Sequence, residues 1–303
     1  MTSIRDAFIS AMYRAGIETN APIIADGRLH RFHVLGDRNC TKNGWYILYP
    51  DFPAIGVFGC WKRHIKRWWQ PHTDHLIMSD QRKVQERRRS IQRRSDHEFK
   101  NEHEALSAAA VIWRSAAHAS DRHAYLLRKG VRSHGLRYHK GALLVPVTDI
   151  NGNFHGMQRI WPNGEKRFHR GTILTGHFFM IGEIGEATLL MCEGYSTGAT
   201  LHEVTGHAVI VAFGSGNLRP VAEAARAAWP NARIIICADD DKNLDDNPGM
   251  TAAAESAAVI KAELAFPKFP CTRGTTYSDF NDLFRIAGPA AVMDCLFGRG
   301  GHV

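Results

Sequence analysis

The sequence predicts an α/β protein: a doubly wound, largely parallel sheet in its last third, preceded by an antiparallel region and a small N-terminal α+β unit. Three observations carry this. The apolar segments ATLLMCEG, HAVIVAFG and ARIIICADD alternate with helical stretches near 197–205, 218–228 and TAAAESAAVIKAELA, the pattern of parallel strands buried on both faces. Ahead of them, ALLVPVTD and NFHGMQRIW flank the turn Asp149-Ile150-Asn151-Gly152, which reads as a hairpin. Near the N-terminus, LHRFHVLG, GWYILYP and AIGVFGCW are short strands set off by Gly, Asn, Asp and Pro.

In chain order, Ile4, Phe8, Ile9 and Met12 lie at helical spacing over residues 3–16, and the three strands follow over 29–60. Residues 76–130 are charged and Ala-rich without proline, and read as helix linking two folded parts. NGEKRFHRG adds a turn and strand before the parallel sheet begins. The expected division is an N-terminal α+β domain over 1–75, a basic helical linker over 76–135, an antiparallel subdomain over 136–185, the parallel-sheet domain over 186–290 and a tail over 291–303.

At 303 residues the chain is long enough for two domains. No run approaches eighteen uncharged apolar residues, which excludes a spanning helix from the expectation. Arg5, Asp6 and Arg14 interrupt the start where a secretory leader needs an apolar run, so a cytoplasmic location is expected, with no membrane partner. The six cysteines contain no C-x-x-C pair. Cys40, Cys60, His64, His72 and His75 do not fit zinc spacings either, so zinc is not expected.

Charge divides the chain unevenly. Residues 1–140 hold 25 Lys/Arg against 13 Asp/Glu, a net of +12, whereas residues 141–303 hold 13 against 17, a net of −4. The basic excess is densest in WKRHIKRWW (61–69) and QRKVQERRRSIQRR (81–94). Lys62, Arg63, Lys66 and Arg67 interleave with Trp68 and Trp69, and Arg87, Arg88 and Arg89 follow. Cations for phosphates beside flat rings for bases suit a single-stranded nucleic acid. The plainer reading makes the arginines a solvated helix face and lets some tryptophans close the N-terminal core.

The acids of the last third sit where open α/β sheets place their chemistry, beyond the carboxyl ends of the strands. Glu193 follows ATLLMC, and Asp239 and Asp241 follow ARIIIC on one side of the chain with Asp240 turned away. A single strand-end acid is read as a helix cap. Three acids after two buried strands, with SDFND downstream, are read as a site for hard divalent cations shared with substrate phosphates.

These residues carry a family resemblance. Glu193-Gly194-Tyr195 opening a helix, Asp239-x-Asp241 and Asp279-Phe280-Asn281-Asp282 resemble the Rossmann-like Toprim fold of DnaG-type primases, topoisomerases and some nucleases. EGYSTGATLHEVTG with AVIVAFGSGNL is similar to bacterial, plasmid and phage primases. LLVPVTDINGNFHGMQRIWPNGEKRFHRG resembles the subdomain that precedes Toprim in them. GDRNCTKNGWYILYPDFPAIGVFGCW resembles the head segment of TraC-like primases of mobile elements. The likeness covers most of the chain apart from 76–130.

The resemblance implies a DNA primase that makes short RNA primers on a single-stranded DNA template from NTPs. It makes Glu193 the residue that assists deprotonation of the primer 3′-hydroxyl or holds metal. Asp239, Asp241 and Asp279 complete the site for Mg²⁺ (or Mn²⁺), and Arg159, Lys166 and Arg167 face nucleotide or template. Asn281 stands where DnaG-type proteins often carry another Asp. No G-x-x-x-x-G-K-[ST] occurs, so a replicative helicase is expected as a separate partner. Rival readings are a Toprim nuclease using the same acids and a non-catalytic replication accessory that binds single-stranded DNA.

Overall fold

The computed structural model describes residues 3–37, 42–60, 63, 65–71, 82, 85–86, 89, 101, 103–184, 188–242, 247–270 and 277–298. The chain forms two compact units, Met1–Phe99 and Lys100–Val303. Among the described residues no helix is long and apolar enough to cross a membrane.

In the first unit, α1 (Ile4–Arg14) begins at Ser3, whose Oγ accepts a hydrogen bond from the Asp6 N–H at 3.1 Å. Its buried face, Phe8 and Met12, lies on a four-stranded antiparallel sheet. The strands are β1 (His30–Phe32), β2 (Gly44–Tyr49), β3 (Ile55–Cys60) and β4 (Ile65–Trp69), in that spatial order. Phe8 meets the rings of Tyr46, Phe58 and Trp69 edge-on at 5.9, 5.5 and 5.2 Å. Gly56 makes this possible, because a Cβ there would stand 2.5 Å from the Phe8 ring.

The strand β4 is where sequence and structure part. Its basic, aromatic composition hides a strand at the sheet edge, where lysine and arginine are tolerated because they discourage further pairing. Trp69, expected as a stacking surface for nucleic acid, is only 9% exposed and belongs to the core. Arg63 is engaged within its own unit, by the carbonyls of Gly16 and Leu35 and the Asp37 carboxylate. Lys66, Arg67 and Trp68 are exposed, as is Arg89, whose own backbone is helical, as are those of Arg82, Gln85 and Glu86. Lys62, Arg87 and Arg88 lie outside the described residues, as do Cys40, His64, His72 and His75; Cys60 is a buried core residue.

Trp69→Ala is therefore expected to destabilise this unit by roughly 3–5 kcal/mol, the usual cost of emptying an aromatic site. Trp68→Ala should change stability little. Urea melts of the two variants check this; equal costs would contradict the assignment of the two rings to opposite faces.

In the second unit, a helix over residues 103–115 (α2) precedes β5 (Ala117–His118), α3 (Ala124–Lys129), β6 (Arg137–His139), β7 (Ala142–Thr148), β8 (Phe154–Ile160) and β9 (Lys166–Phe168). The five strands form an antiparallel meander in chain order. Residues 103–135, expected as linker, are integral to this unit: α3 buries Tyr125 and Leu126, and Ala117 pairs with Tyr138. The β7–β8 turn has the expected form, with Asp149 Oδ1 accepting from the N–H groups of Asn151 and Asn153 and Gly152 at φ +79°.

The remaining elements are β10 (Phe179–Ile181), β11 (Thr188–Cys192), α4 (Tyr195–Thr205), β12 (Ala208–Val211), α5 (Ser215–Ala228), β13 (Arg233–Cys237), α6 (Pro248–Ile260), β14 (Glu263–Ala265) and α7 (Phe280–Phe297). Their sheet has the order β10-β12-β11-β13-β14. β11–β14 run parallel and β10 is an antiparallel edge. Alternate residues serve opposite faces, as the strand period requires. Leu190, Cys192, Val209, Val211, Ile235 and Cys237 enter one core with α4 and α7 residues. Leu189, Met191, Ile210, Ile234 and Ile236 enter the other with α5 and α6 residues. The expected doubly wound sheet is thus present. The expected tail is not: 291–297 is the far part of α7, beyond a break at Gly288 (φ +78°), and it buries Val292 and Leu296.

Candidate active site

The parallel register sets the site. Cys192 of β11 pairs with Val211 of β12, and Met191 pairs with Ile236 of β13. Glu193 and Asp239 therefore leave adjacent central strands at their carboxyl ends. Gly194 then opens α4 from an extended backbone. Tyr195 of the same motif is a core residue, its hydroxyl donating to the Arg132 carbonyl at 2.7 Å.

Two of the acid side chains, Glu193 and Asp241, and the main chain of Asp239 converge on Gly249, in the first turn of α6. A Cβ at that position would stand 2.8 Å from the Asp239 carbonyl, 2.9 Å from Asp241 Oδ2 and 3.1 Å from Glu193 Oε1. The helix reaches this close because Asn247 takes a left-handed backbone (φ 40°) and Pro248 begins α6. Asp240, turned away from its neighbours as expected, is 1% exposed. It binds Lys242 Nζ at 3.0 Å and accepts from Asn247 Nδ2 at 2.8 Å. Its N–H donates to the Ser278 carbonyl at 2.8 Å, which brings the Asp279 loop to the strand end.

Asp279 caps α7, its Oδ1 accepting from the Asp282 N–H at 2.7 Å. It nonetheless belongs to the acidic group. Burial raises the Asp239 carboxyl well above the ordinary carboxylate range, and repulsion by Glu193, Asp279 and Asp241 adds to it, with Lys166 opposing. Asp279 is raised by burial and by Asp282, opposed by Lys129 and Lys166. Lys166 Nζ would lie 3.8 Å from a Cβ on Gly194, so β9 delivers this cation to the start of α4.

Arg159 on β8 lies beside Arg167 on β9. The Arg159 Nε is buried without a hydrogen-bond partner. Arg167 is held by Glu165 and is 71% exposed.

Sequence reasoning missed Gly249 and Lys129 here, and it marked Asn281 only as a departure from an acid. Gly249 carried only a helix-start signal, the N-P-G run. Lys129 reaches the Asp282 carboxylate at 3.8 Å, and nothing in its local sequence separates it from other surface lysines. Asn281 is fully buried, donating to the Lys129 carbonyl at 2.7 Å and to Thr200 Oγ1 at 2.8 Å. Through its Nδ2 it ties α3, α4 and α7 together.

Among the described residues no three His, Cys, Asp or Glu side chains are arranged to hold a metal ion by themselves. The donor set still fits Mg²⁺ or Mn²⁺. Its atoms are carboxylate oxygens, Asp239 Oδ1 is buried without a hydrogen-bond partner, and the acids repel one another. Mg²⁺ is commonly bound by one or two carboxylates that leave its other positions to water and substrate phosphates. Cys192 and Cys237 are fully buried beneath these acids, and burial pushes both thiols up, which keeps them un-ionised.

Gly249→Ala should not weaken α6, since alanine favours helix. Its methyl group would press on the Asp239 carbonyl and displace Asp241 or Glu193. Misplacement of reacting groups by about 1 Å costs on the order of 100-fold in rate, and we expect a loss of that order together with a lowered melting temperature, because the Asp239 backbone must also give way. Retention of the wild-type rate would mean that the acids do not act together.

Residues 188–290 match the family model described as Toprim domain. Two curated relatives, each a DNA primase TraC from Escherichia coli, are 31% identical over 265 residues and 28% identical over 290 residues. The matches cover 81% and 89% of this chain but 24% and 20% of those proteins, so the chain spans about a quarter of their length or less. Among solved structures, the primase fragment of the bacteriophage T7 primase-helicase is 16% identical, with a TM-score of 0.44 over 60% of this chain and 80% of that one. The Aquifex aeolicus primase, with its zinc-binding and RNA polymerase domains, is 13% identical, with a TM-score of 0.45 over 99% of this chain and 86% of that one.

Proposed function

From a Toprim domain carried in a TraC-like chain, we propose that the protein is a DNA primase, a nucleotidyltransferase that makes short RNA primers on single-stranded DNA. The observation that carries the reading is the convergence of the Glu193 and Asp241 carboxylates on Gly249 at the carboxyl ends of the parallel strands, with the Asp239 carboxyl raised by its burial and by both. Asp279 and Lys166 stand within electrostatic reach.

Asp239, Asp241 and Asp279 would hold Mg²⁺ or Mn²⁺, with Glu193 as a further ligand or as the base. Bound there, the cation would polarise the α-phosphate and stabilise the leaving pyrophosphate. Glu193 takes the proton from the 3′-hydroxyl of the growing strand. Lys166, at the start of α4, meets the negative charge of the triphosphate, and the buried Arg159 Nε is a donor available to nucleotide or template. Arg167 contributes charge from an exposed strand. In the basic unit, Lys66 and Arg67 contact template phosphates and Trp68 stacks on a base, with Arg63, Arg89 and the neighbouring Lys62, Arg87 and Arg88 adding to the field. A replicative helicase acts as a separate partner in the cytoplasm.

The test uses purified protein, a single-stranded circular DNA, labelled NTPs and Mg²⁺ or Mn²⁺. Short labelled RNA with the circle intact is the expected result. A linearised circle without labelled product would replace primase by nuclease, and binding without either product would leave an accessory protein.

A further inference from the structure

Two phenylalanines at the rim of the acidic site have no place in the chemistry so far. Phe168 ends β9 two residues after Lys166 and is 40% exposed. On a strand, residues two apart share a face, about 6.6 Å apart. The cation that reaches Gly194 and a partly exposed aromatic ring therefore project the same way from one strand. Phe213 approaches from the sheet. Val211 pairs with Cys192, and the Ala212 N–H donates to the Cys192 carbonyl at 2.8 Å. Phe213 thus stands at the level where Glu193 and Gly194 leave the neighbouring strand. The two rings meet edge-on, with centroids 5.8 Å apart at 70°, a preferred aromatic arrangement that fixes one ring against the other.

Phe213 also occupies a left-handed backbone, φ +67°. That conformation is costly for a bulky side chain, and such strain gathers where a side chain must be held in one place. A strained aromatic, an exposed aromatic and a lysine surround a site made of acids. Phe213 rests partly on the core shared with α4 and α7, which fixes its position, whereas Phe168 belongs to none of the core clusters and lowers no charge repulsion. The chemistry of the pair matches the one flat, apolar part of a nucleotide.

We propose that Phe168 and Phe213 form a stacking shelf for a nucleobase, set so that Lys166 and the acids of the same rim meet the phosphates attached to it. The base belongs either to the incoming nucleoside triphosphate or to the template strand. The proposal rests on the primase reading, and it is tested by binding alone, without turnover.

The full chain and its Phe168→Leu, Phe168→Tyr and Phe213→Leu variants are titrated with ATP and, separately, with tripolyphosphate, in Mg²⁺. A parallel series uses a single-stranded DNA oligomer and an abasic oligomer of equal length. Phe168→Leu and Phe213→Leu should weaken ATP or the oligomer by at least about fivefold, the lower end of what base stacking on an aromatic ring contributes. Tripolyphosphate and the abasic strand should bind unchanged, and Phe168→Tyr should match wild type. Weaker ATP alone assigns the shelf to the incoming nucleotide; a weaker oligomer alone assigns it to the template. Unchanged binding of both overturns the proposal, as does equal weakening by Leu and Tyr. Wild type that makes primers while the variants bind normally rejects only the shelf. Wild type that makes no primers while the variants lose base-dependent binding rejects only the primase reading.

Discussion

Glu193→Gln is expected to lower primer synthesis by about 10²–10⁴-fold, the range for loss of a positioned general base. The change keeps the size and hydrogen-bonding capacity of the side chain, and Glu193 sits at the strand end beside Gly249 without carrying the core. Melting temperature and single-stranded DNA affinity should therefore stay at wild-type values while incorporation of labelled NTP collapses. A variant that keeps more than about a tenth of the wild-type rate would remove Glu193 from the chemistry and leave it a spectator to the aspartates.

Asp239→Asn should separate metal binding from folding. In the metal-free protein the Asp239 carboxyl is raised by burial and by the surrounding acids. Its folded form then holds its proton to higher pH than the unfolded chain does. The charged carboxylate costs stability above the ordinary carboxylate range, progressively as pH rises toward the raised value. In EDTA at neutral pH the Asn variant should melt at or above wild type, and the difference should vanish below about pH 4, where the unfolded carboxylate is also protonated. In a domain of this size about 1 kcal/mol corresponds to roughly 2–4 °C. Mg²⁺ should raise the wild-type melting temperature and leave the variant unmoved, and primer synthesis by the variant should be lost. A variant that melts lower in EDTA at neutral pH would make Asp239 a structural group.

Much of the fold could be read from hydrophobic periodicity. The strands β11, β12 and β13 are apolar throughout because both faces are covered, and their ends named Glu193, Asp239 and Asp241 before any geometry was known. What escaped depended on contacts distant in sequence. β4 reads as a charge run because an edge strand buries little, and only packing against Phe8 shows that Trp69 faces inward. Residues 291–297 look like a tail because Gly288 and Pro289 interrupt the helix, yet Val292 and Leu296 return to the core. Lys129 and Asn281 meet only through the fold, 152 positions apart. Gly249 mattered through the absence of a side chain, which no composition or spacing rule detects. For Arg63, the partners that hold it lie 47, 28 and 26 positions away.

Template direction is the centre of this reading, and one measurement reaches it most directly. Labelled products made on a single-stranded circle of known sequence are sequenced, with each NTP withheld in turn. The expected products are short RNAs complementary to the circle, each terminating before the position that calls for the missing nucleotide, and none should form when Glu193 is replaced by Gln. Products whose sequence ignores the template, or that persist undiminished in Glu193→Gln, would contradict it.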